Sequence, residues 1–165
     1  MKTLFIGGIK SGKSRLAETY ILERSGTDKP YYLATTEFID EEIQVRIDAH
    51  RQRRQDKFVT IEAPVMLYAA LEQCQSPVLI ECVSMWLNNL LYHQTPEADI
   101  LQELEAVLQL PCPLVLVHNE VGLSIVADNS LARRFVDLSG KAAQLMGRYC
   151  DEVYFCSARL TMRMK

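Results

Sequence analysis

The sequence lacks any apolar run near the ~20 residues that a membrane-spanning helix needs, and the one opening at Thr3-Leu4-Phe5-Ile6 is cut short by glycines. No membrane span and no secretory signal are therefore expected. Basic residues are not in excess, since 18 Lys and Arg face 21 Asp and Glu for a formal charge of −3. That balance excludes a general nucleic-acid binder, whose domain carries a basic stripe. The five cysteines include no C-x-x-C pair and are odd in number, so neither a zinc site nor a closed disulfide framework is indicated. Free thiols in a reducing, cytoplasmic setting are the expectation. Low-complexity tracts, internal repeats and linkers are likewise missing. The 165 residues, 48% hydrophobic, suffice for one sizeable core and are read as a single domain over 1–165.

What is present is an alternation of short apolar runs with helical patterns. Strands are expected near 3–6, 31–34, 78–80, 114–117 and 153–155, each apolar enough to be covered on both faces. Helices are expected over 13–25 and 40–54, and from near Pro64 and Ser84. Thr95-Pro96-Glu97 reads as a helix start, with Thr95 as the capping hydroxyl, proline in the first position and an acid in the first turn. Leu131, Phe135, Leu138, Ala142 and Leu145 recur every three or four residues, a stripe that should face the core. Residues 119–129 read as a loop. The pattern is that of an α/β fold, P-loop NTPase-like, with a mainly parallel sheet covered by helices on both faces.

Gly7-Gly8-Ile9-Lys10-Ser11-Gly12-Lys13-Ser14 matches G-x-x-x-x-G-K-[ST] between an expected strand and an expected helix. In such a loop backbone N–H groups converge on phosphate oxygens, the helix start adds partial positive charge, Lys13 reaches the β- and γ-phosphates, and the Ser14 hydroxyl ligates Mg²⁺. Glu81 ends the apolar run Val78-Leu79-Ile80, the place of a carboxylate that faces magnesium or nucleotide, although a solvated strand end explains it equally well. The 40–54 segment opens with acids and closes with bases, as a helix dipole favours. Its Ile39, Ile43 and Ile47 stripe puts His50 near the inward edge, in a base-rich turn that favours neutral imidazole. Taken alone, this helix admits a nucleophilic His50 or a packed one beside a solvated basic face. Arg51, Arg53 and Arg54 suit phosphate oxygens. His93 and His118 read as structural. A regulatory GTPase is disfavoured, because the chain has no N-K-x-D and its one D-x-x-G, at Asp137–Gly140, falls within an expected helix.

The series formed by the P-loop, Tyr32-Leu33-Ala34-Thr35-Thr36, Arg46-Ile47 with His50-Arg51, Glu81-Cys82, Trp86-Leu87-Asn88-Asn89-Leu90-Leu91, and Asn119-Glu120-Val121-Gly122 with Leu131-Ala132-Arg133 runs through nearly the whole chain. In order and content it resembles the bifunctional adenosylcobinamide kinase / adenosylcobinamide-phosphate guanylyltransferase family of cobalamin assembly. The resemblance implies an enzyme, usually a homotrimer, that phosphorylates a corrinoid, adenosylcobinamide, with ATP or GTP and then transfers GMP from GTP onto that phosphate. It also implies that His50, in the R-I-x-x-H-R pattern, is the histidine that becomes guanylylated. Nucleotide contacts implied in the same way are Gly7 to Ser14, Ala34, Thr35, Thr36, Arg51, Gln52, Arg53, Arg54, Glu62 and Glu81. The tail Ser157-Ala158-Arg159-Leu160-Thr161 lacks the glycine usual in the family, and the chain is shorter than is typical between Tyr92 and Leu110. A small-molecule kinase without nucleotidyl transfer, and a nucleotide-binding regulatory module, are the alternatives.

Overall fold

The computed structural model describes residues 1–37, 52 and 55–165. Among them the strands are β1 (Lys2–Gly7), β2 (Tyr31–Ala34), β3 (Val59–Glu62), β4 (Val78–Glu81), β5 (Leu114–Asn119), β6 (Glu152–Ser157) and β7 (Leu160–Arg163). The helices are α1 (Lys13–Arg24), α2 (Leu67–Leu71), α3 (Val83–Tyr92), α4 (Glu97–Gln109) and α5 (Ser130–Tyr149). The strands form one sheet in the order β3-β2-β4-β5-β1-β6-β7. All neighbours are parallel except β6 and β7, an antiparallel hairpin. The expected P-loop NTPase-like α/β class is the observed one.

Both faces of the central strands are buried, and alternate residues feed two cores. Leu4, Ile80, Leu116 and Val153 pack with α2 to α5. Phe5, Leu79, Val115 and Val117 pack with Ala17, Tyr20 and Ile21 of α1. Phe5 and Tyr20 meet edge to face at 5.4 Å. The Tyr20 hydroxyl donates to Glu152 Oε2 at 2.6 Å and lies 3.0 Å from Thr3 Oγ1. These contacts fix α1, and with it the glycine-rich sequence at its start, against β1 and β6.

Several sequence expectations shift. Strands β3 and β7 were not expected, because both lie on sheet edges and lack an apolar run; every residue of β7 is exposed. Pro96, not Thr95, holds the N-cap position of α4, without a side-chain cap, and its carbonyl accepts from Asp99 and Ile100 N–H. Within the expected α5 stripe Leu138, Ala142 and Leu145 are buried, whereas Leu131 is 59% exposed, because the first turn of the helix stands clear of the core. The expected 40–54 helix lies outside the described residues, apart from Gln52.

His118 is structural, as expected, and nearly fully buried. Asn119 N–H donates to Ser84 Oγ at 2.7 Å, leaving that hydroxyl's proton for His118 Nδ1 at 3.0 Å. The ring proton then sits on Nε2 and is donated to Ser139 Oγ at 3.0 Å, tying β5 to α3 and α5. Burial, opposed by a hydrogen bond at Ser139 and aided by the Lys13 charge, brings the His118 pKa down from 6.5 to about 4. The unfolded chain takes up this proton below its ordinary pKa and the folded chain only near 4, so the contribution is constant above about pH 7 and falls as the pH drops. Urea unfolding should show a loss of about 2–3 kcal/mol between pH 7 and 4.5 from this group. His118→Asn, whose amide can keep the Ser84 contact and does not titrate, should flatten the profile by that amount.

Candidate active site

The loop after β1 is shaped by two left-handed residues, Lys10 with φ 59° and Gly12 with φ 97°. Such backbone turns N–H groups inward to make an anion cradle. Gly7 is glycine for a different reason: a Cβ there would lie 2.3 Å from the Cys156 carbonyl oxygen, so β6 can approach only a bare backbone. Lys13 is 6% exposed, and its ammonium donates to the Gly8 carbonyl at 3.1 Å. Ser14 Oγ donates to Glu81 Oε1 at 2.7 Å. Loop lysine, first-turn hydroxyl and strand-end carboxylate thus converge on one cleft of about 1180 Å³, which Lys10 and Asn119 also line.

Glu81 is held by a buried network. The Thr35 hydroxyl accepts from Cys82 N–H at 2.9 Å and lies within bonding distance of the Glu81 and Cys82 carbonyls. Asn89 Nδ2 donates to the Thr35 and Pro64 carbonyls at 2.7 and 2.8 Å. Trp86, fully buried, donates from Nε1 to the Val65 carbonyl at 2.7 Å. The Thr35 side chain, expected among the nucleotide contacts, is fully buried and faces the backbone that carries Glu81. Sequence reasoning missed Asn89 and Trp86 as supports of the site; their i, i+3 spacing on α3 was the available signal.

The remaining candidates separate into groups. Register places Ala34 beside both Glu62 and Glu81, and all three end their strands at the edge of the sheet where the phosphate loop opens. Ala34 and Thr36 are half-buried and Glu62 is exposed. Four strand spacings of ~4.8 Å separate β1 from β3, so Glu62 lies about 19 Å across the sheet from the loop. Of the basic segment, only Gln52 is described, and it is exposed; His50, Arg51, Arg53 and Arg54 lie outside the described residues. His93 is paired with Glu37 at 2.8 Å. The five cysteines are free thiols, and burial raises Cys82 and Cys150 to about 12, which keeps both protonated and unreactive.

The family model described as cobinamide kinase / cobinamide phosphate guanyltransferase matches residues 3–164. The chain belongs to this family. The resemblance drawn from the motif series is borne out, and membership brings the two activities of the family's description, phosphorylation of cobinamide and guanylyl transfer to cobinamide phosphate. A bifunctional adenosylcobalamin biosynthesis protein of Pseudomonas aeruginosa is 39% identical, with 100% of this chain and 98% of that protein covered. One of Escherichia coli is 33% identical, with both chains fully covered. Among solved structures, the flagellar accessory protein FlaH of Methanocaldococcus jannaschii shares the fold, with a TM-score of 0.53 at 9% identity over 99% of this chain and 77% of that one. A solved ATPase domain gives a TM-score of 0.51 at 13% identity, over 93% and 68%. A corrinoid substrate fits the family, and the family and fold imply binding of ATP or GTP. Among the described residues no helix is long and apolar enough to cross a membrane.

Proposed function

We propose that the chain works as a single-domain enzyme that phosphorylates adenosylcobinamide and then guanylylates the product through a covalent intermediate on His50. The observation that carries this reading is the convergence of Lys13, Ser14 and Glu81 at the phosphate loop, with Ser14 Oγ 2.7 Å from Glu81, in a member of this family. In the kinase step the hydroxyl oxygen of the corrinoid's side chain attacks the γ-phosphorus, the bond to the bridging oxygen breaks, and the nucleoside diphosphate leaves. Lys13 neutralises charge on the β- and γ-phosphates. Two hard oxygens side by side, with no larger cluster of metal-ligating side chains among the described residues, suit Mg²⁺, which takes one or two protein oxygens and completes its shell with water and phosphate. Ser14 and Glu81 would hold it, and its charge would stabilise the phosphate oxygens.

In the second step an imidazole nitrogen of His50 displaces pyrophosphate from the α-phosphorus of GTP. The phosphate oxygen of adenosylcobinamide phosphate then attacks the same phosphorus, the P–N bond breaks, and adenosylcobinamide-GDP is released. Triphosphate in the loop and guanosine directed toward Ala34, Thr36 and Glu62 account for the spread of candidates across the sheet edge; Arg51, Gln52, Arg53 and Arg54 follow His50 in sequence and serve the same nucleotide. A homotrimer completes the proposal, supported by the exposed Leu123, Ile125 and Val126 on the loop after β5, an apolar surface of the kind that partners cover. The free thiols favour a cytoplasmic setting.

The test is incubation with Mg²⁺ and GTP labelled in the α-phosphate, followed by denaturation, intact mass and peptide mapping. An acid-labile, alkali-stable GMP adduct on His50 is expected. Kinase-active protein that forms no adduct would reduce the assignment to phosphorylation alone.

A further inference from the structure

The cleft has a second half, away from Glu81. Beyond Ser14 its wall is the outer face of α1, where Arg15 and Thr19 stand at i, i+4 spacing, and Tyr154, Arg159 and Thr161 line it from the β6–β7 hairpin. Strand order sets this hairpin on one flank of β1, and β4, β2 and β3 on the other. A triphosphate seated in the loop therefore has two exits for its nucleoside: toward Glu62, or into the groove between α1 and the hairpin.

Arg159 is locked to the phosphate loop. Its N–H donates to the Ser11 carbonyl at 2.8 Å, and a Cβ on Gly12 would meet Arg159 Cγ at 2.9 Å and Cα at 3.1 Å. Ala158 and Arg159 form the two-residue turn with φ of 51° and 64°, the type I′ pattern usually given to Asn-Gly. Among the described residues the Arg159 guanidinium has no hydrogen-bond or ion-pair partner. Of its basic neighbours, Arg24 lies 3.7 Å over the Tyr20 ring, Arg163 pairs with Glu152 at 3.1 Å, and Arg15 lines the same groove from α1.

We propose that the groove between α1 and the hairpin receives the nucleoside of the phosphoryl donor in the kinase step, and that Arg159 contacts that nucleotide. A guanidinium can fork onto phosphate oxygens and stack on a base with the same planar group. The nucleotide donor of the second step, whose guanosine is directed toward Glu62, does not use Arg159. This inference rests on the reading that the loop holds the triphosphate.

Arg159→Gly tests it with a built-in control for folding, because glycine adopts φ of +64° more readily than arginine does. The variant should melt no lower than the parent. Its KM for the donor nucleotide in cobinamide phosphorylation should rise about tenfold, the loss of one charge-assisted contact, with kcat within about twofold and the yield of GMP adduct from GTP unchanged. Arg159→Lys should recover part of the donor affinity. An unchanged donor KM, or an equal loss in adduct formation, overturns the proposal. Lys13→Ala serves as the reference: if it spares both activities, the reading of the loop fails, whereas lost activity in Lys13→Ala beside an unaffected Arg159→Gly removes only this inference.

Discussion

Lys13→Ala is expected to lower cobinamide phosphorylation and guanylyl transfer together, each by about 10²–10³-fold, the usual cost of removing one preorganised charge from a developing transition state. The geometry explains why the loss should be shared. The ammonium is nearly buried and rests on the Gly8 carbonyl inside its own loop, so it is in place before a nucleotide arrives and needs little reorganisation. Both reactions expel a charged phosphate group, a nucleoside diphosphate in one and pyrophosphate in the other, and the loop faces that leaving charge in each. Lys13→Arg should not restore activity, since a planar guanidinium is larger than the ammonium that this tight loop encloses. Product formation by chromatography measures both steps, and a melting curve checks the fold. Survival of either activity within about tenfold would mean that its phosphates sit elsewhere.

The parts of this site that were legible in the sequence are those whose chemistry is local. Gly7 to Ser14 carry their function in their own spacing, and Glu81 could be found because it closes a buried apolar strand as its last residue. The central strands showed themselves as apolar runs because both their faces are covered. Strand β3, mostly exposed, and β7, wholly so, gave no such signal: an edge strand is held by backbone bonds to one neighbour, and its side chains are free to be polar. What Thr35 and Asn89 hold could not be read from the sequence, for a related reason. Their partners lie 25 to 54 residues away along the chain, and only the tertiary fold brings them together. Likewise the groove between α1 and the hairpin exists because β6 folds back beside β1, which no spacing within the P-loop announces.

His50→Ala separates the two reactions that Lys13→Ala joins. Guanylyl transfer should fall by on the order of 10⁴-fold or more, the scale seen when a covalent catalyst loses its nucleophile, and the GMP adduct should vanish. Phosphorylation of adenosylcobinamide should persist within about threefold, because its attacking oxygen belongs to the corrinoid and its charge stabilisation to Lys13. The phosphorylated corrinoid should therefore accumulate as the end product, and mass spectrometry of a single reaction mixture reads both outcomes. Direct attack by the corrinoid phosphate on GTP, without an enzyme-bound intermediate, predicts that the variant still makes adenosylcobinamide-GDP. Stereochemistry at the α-phosphorus gives an independent check. Two in-line displacements, first by imidazole and then by the phosphate oxygen, leave the configuration of a chiral α-phosphorothioate GTP unchanged, whereas one direct displacement inverts it. Retention in the parent enzyme, together with loss of transfer in His50→Ala, is the pair of results that this mechanism requires.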